Sequence, residues 1–570
     1  VDSRKTYSYS AWSIWLCLLC SLPLAWLYSW HDADAVNMLD GDARYYYYYL
    51  QSTFIDPALA SYDWLKQAAP VTHHPVGLGI LWLPFFMVGH LSAQLFHYPL
   101  SGLSLPYQAS IALAGLTYAF LGLVYLRKLF ILNGIPDKAV ALVIPLIFLG
   151  TNLLHYTLHE AGMSHVYSFF LITAFMYYSC RFVKENRNSD LLLASLFFGL
   201  VLLVRLNNVF AVFTLLFWFS SRHECFGFFK GLIRRPAFYR SIALLLLVLS
   251  IQPLVWLWKE EVLFANRYAP YGFYWTSPAF FKMLFGFNAG FFIYAPLCLL
   301  FLGGLGALYK ANRFSFYSAV LFVLVLFYFF SAYSAYTYYD GIGIRVLIDY
   351  YAVFALFGAK LFSAFESNKA MLISLSTVSF ALLAINLVYA YQSSHRILLR
   401  SGMTYQQWKY ILMRTGSSYE NCLGGSNDLL PYSEQPVPAS LSGEAITAGP
   451  FDFSGKEFGP SLMFGRLGFM SRRICMKLKI KRTEAFINSS RDTWVCAVVE
   501  DQAGNRKGYQ QFRLNETPSK NCCTETEYNY TSTMEGDFKA SDRLSVALWN
   551  LKKQPFFLNA FSANIYNYNY

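Results

Sequence analysis

Residues 76–97, VGLGILWLPFFMVGHLSAQLFH, are long enough to cross a bilayer yet carry Pro84, His90 and Gln94, and whether they cross decides the layout of the whole chain. A hydrocarbon core of roughly 30 Å takes about 20 apolar residues. Candidate spans fall at 11–30, 106–127, 139–156, 162–181, 190–205, 206–221, 237–258, 289–308, 314–333, 346–364 and 369–391, about eleven in all. If 76–97 does not cross, the clusters Arg127/Lys128, Arg181/Lys184/Arg187, Arg222/Lys230/Arg234/Arg235/Arg240 and Lys310/Arg313 all share the side of the N-terminus. If it crosses, they lie outside, against the tendency of basic loops to stay in the cytoplasm. The segment is therefore expected to be an interfacial or re-entrant helix, with residues 31–105 forming one long external loop.

Composition agrees with a polytopic membrane protein. The 570 residues are 56% apolar, 19% aromatic and only 14% charged, far below the roughly 25% charged residues of a soluble domain. The net charge of +12 sits in short clusters between apolar runs, which argues against nucleic acid as a partner. Trp12–Trp30 follows Arg4 and Lys5 in the manner of a signal peptide, but no small-residue cleavage site follows it, and it is expected to stay as a span. The short runs 190–205 and 206–221 suggest a broken pair around Arg205, Asn207 and Asn208.

Residues 1–391 thus form a helical membrane domain, and the character changes beyond it. A short helix and linker are expected over 392–444. From 445 to 570, RRICMKLKIKRT, DTWVCAVVE, RKGYQQFRL, RLSVALWN and PFFLNAFSANIY have strand length and partial alternation, with turn signals AGN and EGD between them. An extracytoplasmic all-β, sandwich-like domain is expected there. Of ten cysteines, Cys422, Cys475, Cys496, Cys522 and Cys523 lie in this last third. A disulfide among them is open, whereas none has zinc-ligand spacing with histidine.

Four clusters carry candidate chemistry. In LDGDARYYYYYL (39–50), Asp40 and Asp42 precede Arg44 and five consecutive tyrosines. Such carboxylates, held at a membrane surface, suit general-base work or metal binding. The tyrosines are expected to begin an interfacial helix with rings at head-group depth. In VTHHPVG (71–77), His73 and His74 sit before a helix start, either as structural residues or as donors to an anionic head group. HYTLHEAGMSH (155–165) places His155, His159, Glu160 and His165 in a short external turn. YDGIGIRVLIDYY (339–351) places Arg345 and Asp349 at i and i+4 at the outer end of a span. Charge within a span costs roughly 2.5–3.5 kcal/mol at its centre and is functional by default. The plainer reading is a mutual ion pair; the functional one is that Arg345 grips a phosphate.

The ordered set DGDARY, THHPVG and HEAGMSH resembles the C-type glycosyltransferase superfamily, in particular the protein O-mannosyltransferases and lipid A aminoarabinose transferases. Their first external loop has a D-E-x-R-Y type motif, then a K-P-P or H-P-P helix start, then an acidic residue in the next external loop. NAGFFIYAPL (288–297) and GIRVLIDYY (343–351) are similar to the G-L-F-x-Y-x-P and F-G-x-R-x-L-I-D segments of such transferases. The likeness covers about the first 390 residues and departs where HHP replaces a lysine and where Asp40 and Asp42 compete for one motif position.

The resemblance implies transfer of a sugar from a polyprenyl-phosphate donor to an acceptor hydroxyl on a glycan, lipid or protein, with inversion, on the extracytoplasmic face of a bacterial inner membrane. Asp40 or Asp42 would be the base. Glu160 would position the acceptor or share a divalent cation, and Arg44, His73, His74, His159, Arg345 and Asp349 would contact substrate. A transporter or flippase of lipid-linked glycans is the rival, and it would show interrupted spans paired in two related halves. A sensor or scaffold would instead work through its β domain.

Overall fold

The computed structural model describes residues 8–30, 38–39, 41–55, 74–264, 272–338, 341–395, 397–398, 403, 405–416, 419, 446–468, 470–486, 489–490, 492–514 and 522–567. The chain divides into two compact units, Val1–Ala390 and Tyr391–Tyr570.

The first unit is helical, and the helices are α1 (Tyr9–Ala25), α2 (Asp42–Phe54), α3 (Gly77–Leu95), α4 (Leu105–Leu132), α5 (Asp137–Leu149), α6 (Leu153–Leu158), α7 (His165–Glu185), α8 (Asn188–Val204), α9 (Arg222–Leu232), α10 (Pro236–Glu260), α11 (Arg313–Ala332), α12 (Tyr351–Ala364) and α13 (Lys369–Ser394). Tight 3₁₀ segments occupy Leu206–Trp218 and Arg345–Tyr350, and short turns fill 280–311. Among the described residues eight helices are long and apolar enough to cross a membrane, and three shorter apolar segments accompany them: Asn188–Val204, Leu206–Trp218 and Pro296–Ala311. This is an integral membrane architecture.

Two expected spans are broken. The run 139–156 ends as a helix at Leu149 and resumes only over Leu153–Leu158, and 289–308 splits into Phe291–Tyr294, Pro296–Phe301 and a turn beginning at Gly304. Proline supplies no amide donor and glycine costs helix stability, so Pro296 and the Gly303–Gly304 pair interrupt the second run. The 190–221 run does divide at Arg205, into α8 and a 3₁₀ segment.

Helix contacts sort the two ends of this unit. At one end, Asp137 accepts from Ser8 Oγ at 3.0 Å, and Arg127 donates to Ser10 Oγ at 2.7 Å. Lys184 Nζ meets Leu132 O at 2.8 Å, and Arg235 Nη1 meets Asn186 Oδ1 at 2.5 Å. The basic clusters therefore gather where α1 begins. At the opposite end, Tyr28 stacks on His159 and the chain enters α2.

Helix α3 runs antiparallel along α4, Gly89 beside Ser110 and Leu81 O accepting from Tyr118 at 3.1 Å. Its first turn nevertheless meets the C-terminal end of α8, since a Cβ on Gly77 would lie 2.5 Å from Leu203 O, and Val76 N donates to Gln252 Oε1 at 2.7 Å. It starts beside the C-terminal end of α8 and, being antiparallel to α4, runs toward the non-basic end where α4 begins; by length and composition it is one of the eight helices able to cross a membrane.

The tyrosines of α2 are not membrane anchors. Tyr46, Tyr47, Tyr48 and Tyr49 are buried within the protein. Tyr47 packs on Trp82 and Phe86 of α3 and donates to Gly102 O at 2.6 Å, while Tyr49 donates to His74 O at 2.5 Å. Buried phenols need such partners, and these fix α2 on α3.

The second unit is a β-sandwich. One sheet has the order β1 (Ile446–Ala448), β9 (Phe556–Asn567), β4 (Ser471–Glu484), β7 (Glu525–Phe538), with β2 (Phe451–Asp452) also on β9; the other has the order β3 (Phe458–Phe464), β8 (Arg543–Asn550), β5 (Thr493–Glu500), β6 (Arg506–Arg513). Alternate residues, Ile474, Met476, Leu478 and Ile480 from one sheet and Val495, Ala497 and Val499 from the other, meet in a shared core, the period-2 pattern of facing sheets. AGN forms the β5–β6 turn, with Gly504 at φ +83°, but EGD (535–537) lies inside β7. The described cysteines are all free: Cys475 is buried in β4, Cys496 belongs to the other sheet, and Cys522 and Cys523 are exposed. Cys422 lies outside the described residues.

Candidate functional site

The non-basic end of the helical unit is built from loops that approach each other closely. A Cβ on Gly162 would lie 1.9 Å from Met38 O and 2.6 Å from Ala43 Cβ, so only glycine lets Met38 and the first turn of α2 rest on the 161–163 turn. Arg44 Nε donates to Leu39 O at 3.2 Å. From the other side, Asn152 Nδ2 donates to Ile342 O at 2.7 Å, and Gly343 takes φ +66°, a conformation costly for other residues. These anchors deliver Asp42, at the first position of α2, and Arg345, at the start of its 3₁₀ turn, to one place. Arg345 Nη2 donates to Asp42 Oδ2 at 3.1 Å, with 11% and 31% of the two side chains exposed.

Arg345 therefore does not pair with Asp349. In a 3₁₀ helix positions i and i+3 eclipse, so i+4 points roughly 120° away, and the α-helical spacing expected over 345–349 does not apply. Asp349, fully buried, accepts from His165 Nδ1–H at 2.8 Å and Asn208 Nδ2 at 2.8 Å, and Arg205 Nε lies 3.3 Å from its Oδ2. Arg205 also donates to Ser164 Oγ at 3.0 Å. One carboxylate thus ties together the start of α7, the break after α8 and the entry to α12, and it holds a second guanidinium beside the first. Glu160, Tyr156 and Arg205 all lie within electrostatic reach of Arg345.

The other candidates are placed as follows. Glu160 Oε1 is 3.3 Å from His155 Nε2. His159 stacks between Tyr28, at 5.6 Å, and His155, at 5.2 Å. His74 is buried, stacked on Tyr45 at 4.3 Å with Tyr46 edge-on at 5.5 Å. Asp40 and His73 lie outside the described residues. Among the described residues no group of three or more His, Cys, Asp or Glu side chains is arranged to hold a metal ion.

Arg205, Asn208 and Ser164 belong to this constellation and were not among the expected site residues, and His165, named in the 155–165 cluster, had been given no role of its own. Their signal was present: an arginine and two asparagines interrupting an apolar run at 205–208, the pattern that marks polar work inside a membrane. No protein-family model matches the chain, and a search of curated proteins finds no match.

Proposed function

We propose that this protein is a membrane glycosyltransferase that moves a sugar from a polyprenyl-phosphate donor to an acceptor hydroxyl at the end of the bundle opposite the basic clusters. The observation that carries this reading is the meeting of Asp42 and Arg345 across 303 positions of sequence at a partly open site. The positive-inside tendency makes the basic end cytoplasmic, which puts the site on the outer side of a bacterial inner membrane, with the β unit following the last span.

In the reaction the acceptor oxygen attacks the anomeric carbon as the bond from that carbon to the phosphate oxygen breaks. Asp42 takes the hydroxyl proton, and the lipid phosphate departs with its charge on Arg345. A carboxylate base contributes about 10²–10⁴ in rate, and a guanidinium fork suits a phosphate better than an ammonium does. Asp349 acts through Arg205 and the 3₁₀ turn, and is a positioning residue. A single displacement inverts the anomeric centre.

A second reading draws on the two helix interruptions, after Val204 and before Tyr351, that converge on Asp349. Discontinuous helices around a charged centre also build transporter sites. Incubating the purified protein with labelled polyprenyl-phosphate sugars and an extracted acceptor pool separates the two. Transfer of label to an acceptor is the expected result. Movement of the intact donor between leaflets of proteoliposomes, without transfer, would overturn the first reading in favour of the second.

A further inference from the structure

At the basic end, the helical unit encloses a cavity of about 170 Å³ whose lining includes Asn133, Lys184, Trp218, Asn312, Ser315 and Lys360. Its charged members are both lysines, with no carboxylate among the lining residues. Most of the polar lining is already engaged. Lys184 Nζ reaches Leu132 O at 2.8 Å and Asn133 Oδ1 at 3.0 Å, Asn312 Nδ2 reaches Phe219 O at 2.9 Å, and Ser315 Oγ reaches Phe217 O at 2.7 Å. Lys360, near the end of α12, is half-buried and has no hydrogen bond or ion pair to any described residue. The remaining walls are apolar: Phe217, Leu308, Leu356 and Phe357.

Two cations with no counter-charge among the lining residues, one of them without a partner among the described residues, in a cavity walled by apolar side chains at one end of a helix bundle, call for an anion with an apolar extension. We infer that this cavity is a binding site for the phosphate of an anionic phospholipid, held by Lys360 and Lys184, with the acyl chains against the neighbouring helices. Basic pockets between spans on the cytoplasmic side have the chemistry to recognise such head groups, and a phosphate there removes the repulsion between the two lysines. The site is independent of the Asp42–Arg345 end and of the reaction assigned to it.

The test uses the full-length protein, delipidated in a neutral detergent and titrated with phosphatidylglycerol or phosphatidylcholine while adducts are counted by native mass spectrometry. The expected result is preferential retention of phosphatidylglycerol, about tenfold weaker in Lys360→Met and unchanged in Lys310→Gln, which removes an equal charge from an exposed position of the same end. Equal losses in the two variants would overturn the proposal, because binding would then follow net charge. Displacement of the lipid by millimolar inorganic phosphate or glycerol phosphate would also overturn it, since the site would then read a free phosphate. A photoactivatable phosphatidylglycerol gives a readout on the wild-type chain that does not depend on the variant folding. Its crosslinks are expected on the peptide carrying Leu356 and Lys360, and crosslinks confined to other peptides would count against the site.

Discussion

Arg482–Glu484 in the sandwich and Arg345–Asp42 in the helical unit are both arginine–carboxylate pairs, and they are built in opposite ways. In the sandwich, Arg482 and Glu484 come from one strand, with 0% and 2% of their side chains exposed, 2.6 Å apart. Arg482 continues the inward alternation of Ile474 to Ile480, donates to Leu514 O at 2.9 Å and to Tyr530 OH, and lies over the Tyr528 ring at 4.0 Å. Glu484 accepts from Ser489 Oγ at 2.7 Å, Ser490 N at 2.7 Å and Ser490 Oγ at 2.6 Å. In the helical unit, Arg345 and Asp42 come from opposite parts of the sequence, and Asp42 is about a third exposed. A local pair sealed by its neighbours serves the fold, because a buried charge tolerates no loss of partner. A pair assembled from distant loops and left partly open is positioned for something else to reach it.

The comparison can be broken most sharply at Asp42. Asp42→Asn is expected to lower transfer by about 10²–10⁴ with little change in thermal unfolding; a parallel loss of stability would make this pair structural like the other. Next, Arg482→Met should do the reverse. Leaving Glu484 buried without its partner is expected to destabilise the β unit by about 3–5 kcal/mol, read by denaturant or limited proteolysis, while the folded fraction keeps its donor affinity. A smaller effect follows from Gly162→Ala, whose methyl group would collide with Met38 O. It is expected to displace the segment carrying Asp42 and reduce transfer by roughly 10–100-fold with helical content unchanged, within the range that misplacing a catalytic group produces. Wild-type activity in that variant would mean that the loop contact does not position the base. The smallest expected change is in Arg345→Lys, which keeps the charge and loses the fork. Apparent donor affinity should weaken about tenfold, or about 1.4 kcal/mol.

Much of this organisation was legible in the sequence, and the failures have physical causes. Apolar length exposes the helices, and basic clustering predicts which helix ends lie together, because both properties are local. The strand over 493–500 is equally plain from its alternation. Strand β7, ETEYNYTSTMEGDF, was not, because Tyr528, Tyr530 and Met534 supply the buried face from a mainly polar string and EGD imitates a turn. At the site, Asp42, Glu160, Arg345 and Asp349 could be picked out by residue type and depth. Their partners could not, because a 3₁₀ segment changes the angular spacing and the pairing of Asp42 with Arg345 depends on close backbone approaches at Gly162 and Gly343. The five tyrosines misled for a related reason: aromatic residues read alike whether they face lipid head groups or a neighbouring helix.

The central claim, that Asp42 and Arg345 form one working site, is tested most directly by a double-mutant cycle in the transfer assay with Asp42→Asn, Arg345→Gln and the combined variant. Groups that act as a unit are strongly non-additive. The combined variant is therefore predicted to transfer no more slowly than the worse of the two single variants. Losses that multiply, or an Asp42→Asn variant with near-wild-type rate, would contradict it.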